Sequence, residues 1–162
     1  MRTQPGLKVW LALLLVLLFS GSCNPREEHF NVVSGFPGNP VPETLRGATI
    51  SGGGWSGLPN RVDGDFGTVG GGLSNQAGEG AVVGGGSHNL AGRFHATVGG
   101  GEFNQVLRVE ATIGGGTNNR AEGARSTIGG GAFNHTADYD ATVGGGAGNL
   151  ASGRHSTVAG GI

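Results

Sequence analysis

Large side chains are scarce in this sequence. Its 162 residues include two tryptophans, one tyrosine, one methionine and seven phenylalanines. A core of interlocked large apolar groups, each worth about 1.5–3 kcal/mol when buried, is therefore out of reach. Cysteine occurs once, at Cys23, which rules out an intrachain disulfide. Charge is scarce too. Ten Lys and Arg stand against eleven Asp and Glu, with no basic stripe, so nucleic acid is excluded as a partner class. Disordered chains combine high charge with few β-branched residues. Here 13% of residues are charged and 36% are hydrophobic, so an ordered chain is expected.

Chemistry-bearing groupings are missing as well. The five histidines, His29, His88, His95, His135 and His155, show no zinc-ligand spacing. No nucleophile, base and acid constellation stands out. The glycine-rich stretches lack the lysine and the following helix of a phosphate loop. The pairs Asp63/Asp65 and Asp138/Asp140 look like calcium turns, but neither recurs at a calcium-roll period, and solvated turn residues are the expectation. The sequence thus predicts no enzyme, no metal and no cofactor.

Residues 1–22 read as a signal peptide. Arg2 and Lys8 precede an apolar run over 9–19, and Ser20, Gly21 and Ser22 supply small residues before Cys23. The run is about 11 residues long, and a membrane span needs about 20. The lone cysteine sits where a bacterial lipobox would place it, which predicts lipidation at Cys23; Ser20 and Ser22 would also suit ordinary signal cleavage. The expectation is an exported chain, held at the cell surface or outer membrane by a lipid anchor alone, or else secreted. Removal of residues 1–22 leaves 10 − 2 = 8 basic residues against 11 acidic ones, a net charge of −3.

What the chain has in abundance is glycine, 37 residues of it, about three times average usage and without a Gly-X-Y period. The glycines come in triplets at 52–54, 70–72, 84–86, 99–101, 114–116, 129–131 and 144–146, with a degenerate Ala159-Gly160-Gly161 at the end. The offsets settle at 15 residues. An asparagine follows each triplet by three: Asn75, Asn89, Asn104, Asn119, Asn134 and Asn149, with Asn60 joining once a three-residue insertion around Gly57 to Pro59 is allowed. Residues 23–50 read as a lead and degenerate first coil, with Val33-Ser34-Gly35 and Thr49-Ile50-Ser51-Gly52 as coil starts, and residues 51–162 as the repeat domain.

Fifteen residues is too short for a helical hairpin, and glycine triplets break helices. The contour, about 50 Å at about 3.3 Å per residue, accommodates two short strands and two turns. The expectation is an all-β parallel roll, two sheets wide. Period-two alternation puts Val69, Val83, Val98, Ile113, Ile128, Val143 and Val158 in one inward column. Gly67, Ala81, Ala96, Ala111, Ser126, Ala141 and Ser156 form a second. Val62, Ala77, Ala91, Val106, Ala121, Thr136 and Ala151 form a third, facing them. Thr68, Thr97, Thr112, Thr127, Thr142 and Thr157 point outward. Stacked coils turn the asparagine column into a hydrogen-bonded structural ladder. Such a thin core calls for a staple or an oligomer, and only self-association remains.

The stretches 121–130, AEGARSTIGG, and 151–160, ASGRHSTVAG, resemble the head repeats of trimeric autotransporter adhesins, the YadA-like head. The resemblance covers 60–162 well and 31–59 weakly. It implies a left-handed parallel β-roll, a homotrimer, and an adhesive role toward a host, matrix or cell-surface ligand. The residues that break the repeat, Trp55, Phe66, Phe94, Phe103, Phe133 and Tyr139, are the candidates for surface contact, Trp55 foremost. A structural spacer or fibre segment without its own ligand is the alternative, and ice binding through the threonine column is a third reading.

Overall fold

A computed structural model describes residues 30–162; the expected signal peptide and Cys23 lie outside the described residues. Among the described residues sixteen two-residue strands alternate between two sheets. In chain order they are β1 (Val32–Val33), β2 (Thr49–Ile50), β3 (Arg61–Val62), β4 (Thr68–Val69), β5 (Gln76–Ala77), β6 (Val82–Val83), β7 (Leu90–Ala91), β8 (Thr97–Val98), β9 (Gln105–Val106), β10 (Thr112–Ile113), β11 (Arg120–Ala121), β12 (Thr127–Ile128), β13 (His135–Thr136), β14 (Thr142–Val143), β15 (Leu150–Ala151) and β16 (Thr157–Val158). One sheet runs β1-β2-β4-β6-β8-β10-β12-β14-β16, the other β15-β13-β11-β9-β7-β5-β3. Every pairing between these strands is parallel, and Thr112 pairs with Thr127, Thr127 with Thr142. The chain is a β-solenoid with coils of about 15 residues, two strands to a coil.

Strands this short are below the usual range, so single strands contribute little and the stack contributes most. The pairing continues from coil to coil through backbone bonds such as Thr112 N–H to the Ser126 carbonyl and Gly114 N–H to the Ile128 carbonyl, both 2.9 Å. All three inward columns enter one core. Val69, Val83, Val98, Ile113, Ile128 and Val143 are fully buried, as are Ala81, Ala96, Ala111 and Ala141 beside them and Val62, Ala77, Ala91, Val106 and Ala121 across the roll. Val158, on the end strand β16, is only partly buried. Where two polar side chains meet inside, they satisfy each other: Ser126 Oγ and Thr136 Oγ1 are 2.8 Å apart. The threonines half-emerge on the outer face of the nine-stranded sheet.

The phase of the first glycine triplet differs from its sequence alignment. Thr49 pairs with Thr68, so Ser51-Gly52-Gly53, and not Gly52-Gly53-Gly54, overlies Gly70-Gly71-Gly72. The insertion before Asn60 therefore has four residues where three were expected. Its physical cause is a closed turn: Trp55 and Leu58 exchange backbone bonds of 3.2 and 2.9 Å, which removes the extra residues from the coil's circumference.

Candidate functional site

The asparagine column explains the glycines next to it. Asn119 is buried, and its Oδ1 accepts the backbone N–H of Asn134 at 3.0 Å. Its Nδ2 donates to the carbonyl of Gly115 in its own coil, 3.0 Å, and of Gly131 in the next, 2.9 Å. The same two Nδ2 bonds recur at Asn75, Asn89, Asn104, Asn134 and Asn149, and the Oδ1 bond to the next coil recurs at all of these but the terminal Asn149. At Asn60 the own-coil acceptor is Gly52. Most rungs are thus joined from side-chain carbonyl to backbone amide, rather than by stacked side-chain amides alone. Asn39 belongs to the ladder too, since its Oδ1 accepts Asn60 N–H at 2.9 Å. Sequence reading missed it because its coil lacks the triplet. In the third glycine of the triplets from 70–72 to 144–146, φ between +84° and +90° turns the carbonyl toward the asparagine, and a Cβ there would strike the next coil's glycine backbone.

The two turns of each coil are the places where side-chain identity is free. Among the described residues eleven non-glycine residues have positive φ, all between 54° and 59°. Such left-handed positions are disfavoured by about 1–2 kcal/mol each, so something must hold them. What holds them is again backbone pairing between coils. His88, Phe103, Asn118 and Phe133 donate their N–H groups to Leu73, Ser87, Glu102 and Thr117 carbonyls at 2.9–3.0 Å. At the opposite turn His95, Glu110, Arg125, Asp140 and His155 do the same toward the preceding coil, at 2.9–3.1 Å. Each turn therefore projects one side chain per coil, in a straight file along an edge of the solenoid.

The file through Glu110, Arg125 and Asp140 alternates in charge and ends on His155. Arg125 grips Asp140 with both arms, Nε to Oδ1 at 2.7 Å and the second contact at 2.8 Å, and His155 Nδ1 lies 3.3 Å from Asp140 Oδ2. The bond from Arg125 holds the Asp140 carboxyl below its ordinary range, and Asp140 in turn raises Arg125. Beside this file Arg154 sits over the Tyr139 ring at 5.4 Å, and Phe94 stacks on His95 at 3.8 Å. On the seven-stranded sheet Glu122 receives Arg120 at 2.6 Å and His135 Nε2 at 2.7 Å; the Arg120 bond is the larger cause of its lowered pKa. Of the acidic residues expected as solvated turns, Asp138 bonds only the adjacent Tyr139 N–H within its turn, while the other three also join coils. Asp140 makes the ion pair just described, Asp63 is bonded to Arg61 and Gln76, and Asp65 accepts the Arg46 N–H at 3.0 Å. The signal for the Arg125–Asp140 pair was legible, because the two residues stand one period apart.

The other file carries the aromatics. His88 and Phe103 stack at 4.7 Å between centroids. A pocket of about 290 Å³ opens between Phe103 and Phe133, and Gln105, Asn118, Asn119 and Arg120 complete its lining. Trp55 is absent from this pocket's lining and pairs with Leu58 at the base of the inserted turn, 68% exposed. Among the described residues no group of three or more His, Cys, Asp and Glu side chains is placed to hold a metal ion.

No family model and no curated protein matches the chain. The class is defined by the architecture itself: an asparagine-laddered parallel β-solenoid with two side-chain-presenting edges.

Proposed function

We propose that the chain is a non-enzymatic, exported bacterial surface protein, anchored through a lipid on Cys23, whose roll serves as an adhesive head of the YadA-like kind. The observation that carries this reading is the pair of turn edges, where a repeated backbone displays unrepeated side chains. Phe66, Phe133 and Trp55 are each more than 60% exposed there. A spacer has no need of exposed aromatics, and they mark surfaces that meet something else.

The working form is a homotrimer. Buried alanine, valine and isoleucine make up the apolar core, with nothing larger. Cores this thin gain from a partner surface, and the repeat resemblance supplies the number three. The flat outer face of the nine-stranded sheet, threonine beside glycine, offers a surface for close approach of another copy.

Light scattering during size exclusion of the mature chain, across a dilution series, tests the assembly: a trimer is expected, and a folded monomer at micromolar concentration overturns it. Beads coated with the protein should be retained on host cells or matrix under flow. Retention no better than uncoated beads leaves the spacer reading in its place.

A further inference from the structure

Rings on consecutive coils of the aromatic file touch, as His88 and Phe103 do at 4.7 Å with 24° between their planes. Phe103 and Phe133 are separated by one coil, whose residue in the file is Asn118, and the three share the same turn geometry at φ 55°, 55° and 56°. Coils repeat at about 4.8 Å, so the backbone positions that carry the two rings stand about 9.6 Å apart, the separation of rings oriented as His88 and Phe103 are. The half-thicknesses of the two rings take up about 3.5 Å, which leaves a slot about 6 Å wide. A flat aromatic ring, about 3.5 Å thick, would touch one wall and lose contact with the other. A chair-form pyranose, about 5 Å thick across its axial hydrogens, leaves only about 1 Å of the slot unfilled, against about 2.5 Å for the flat ring.

The floor and rim suit hydroxyl groups. The side-chain amides of Gln105 and Asn118 have no hydrogen-bond partner among the described residues, and Arg120 spends one contact on Glu122. Amides and the guanidinium together offer donors and acceptors, and a sugar hydroxyl is both. Asn119 is committed to the ladder and forms the floor. The charge of Arg120 is balanced by Glu122 alongside, so the mouth favours a neutral ligand. The volume, about 290 Å³, is near the lower limit of ligand pockets and matches one sugar ring with its substituents.

We propose that the slot between Phe103 and Phe133 binds a neutral pyranose residue of a glycan, its two faces on the rings and its hydroxyls on Asn118, Gln105 and Arg120. This names a ligand class for the adhesive reading and rests on that reading for its biological setting. The phenylalanines supply apolar contact and the three polar side chains supply orientation. Asn118 has a second role, since its shortness keeps the slot open.

Saturation-transfer and amide-shift NMR on the mature protein tests this, with maltotriose, cellotriose and chitotriose as probes. A galacturonate trimer serves as the charged control and N-acetyltryptophanamide as the flat aromatic control. At least one neutral trisaccharide should bind and shift the Asn118 and Arg120 amides. Asn118→Phe completes the file of rings and fills the slot; it should weaken that binding about tenfold or more, about 1.4 kcal/mol, with an unchanged melting temperature. Phe133→Ala removes one exposed wall and should weaken it likewise, which keeps the test valid if Asn118→Phe fails to fold. The proposal is overturned if no neutral trisaccharide binds, if binding ignores these substitutions, or if the charged control is preferred. Preference for the tryptophan amide also overturns it and assigns the slot to a protein partner's side chain. Bead retention separates the two readings. Retention without trisaccharide binding removes only the glycan slot, while trisaccharide binding without retention removes only the adhesive role.

Discussion

Asn104 Oδ1 receives the backbone N–H of Asn119 at 3.1 Å, and Asn119 Nδ2 reaches back to the same oxygen at 3.1 Å. One buried side chain thus serves two coils at once, and its loss should be felt in both. Asn119→Ala leaves the Asn134 N–H and the Gly115 carbonyl without their partner, while the Gly131 carbonyl keeps the Thr117 N–H at 2.9 Å. At about 1–3 kcal/mol for each unsatisfied buried group, we expect a loss of at least about 2 kcal/mol, read as a lowered midpoint in denaturant. The same change at half-exposed Asn149, where water reaches the freed groups, should be milder. Equal losses at the two positions would contradict the ladder's role.

Adjacent glycines should respond in opposite ways. A Cβ at Gly101, φ +88°, would collide with the backbone of Gly116, whereas a Cβ at Gly100 meets nothing within 4 Å. Gly101→Ala should destabilise by more than about 1 kcal/mol, and Gly100→Ala should stay within about 0.5 kcal/mol. Thermal melts of the two variants decide it, and a tolerated Gly101→Ala would mean that the stack flexes at the triplet.

On β12 the two residues face opposite ways, Thr127 outward and Ile128 fully buried. Ile128→Ala should be destabilised by about 2–5 kcal/mol and Thr127→Ser by less than about 0.5 kcal/mol, measured by chemical denaturation. Equal damage would place Thr127 inside an interface between protomers.

Acid should loosen the joints between coils. Asp140 and Glu122 both have folded pKa values below their ordinary ones, through Arg125 and Arg120 respectively. A lowered folded pKa stabilises above the unfolded value, about 4, and that contribution disappears as pH falls through the lowered folded value. Carbon-detected NMR titration should find both carboxyls below their ordinary values, and Arg125→Gln should move Asp140 back up. Both pairs are largely solvent-exposed, so the stability change itself should be small. An Asp140 titration unmoved by Arg125→Gln would remove the pairing as its cause.

The 15-residue period, the parallel register and the inward columns followed from the residues, because a repeat that stacks in register places equal positions one above another. Val98, Ile113, Ile128 and Val143 could be assigned to a buried line from their spacing alone, and Arg125 and Asp140 to neighbouring rungs. The phase of the first triplet could not be read that way. Gly52, Gly53 and Gly54 match any triplet by composition, and only the Thr49–Thr68 pairing and the closed turn at Trp55 decide which glycines lie over Gly70 and its neighbours. Asn39 joins the ladder through a bond to a residue 21 positions away, with no triplet before it to announce it. The slot beside Asn118 was hidden for a related reason. Its walls come from coils 30 residues apart, and the side chains line up because backbone bonds between coils hold every residue of that file in the left-handed region, whatever its type. Local preference would have placed glycine or asparagine there; tertiary pairing allowed phenylalanine, and so put rings on an exposed edge.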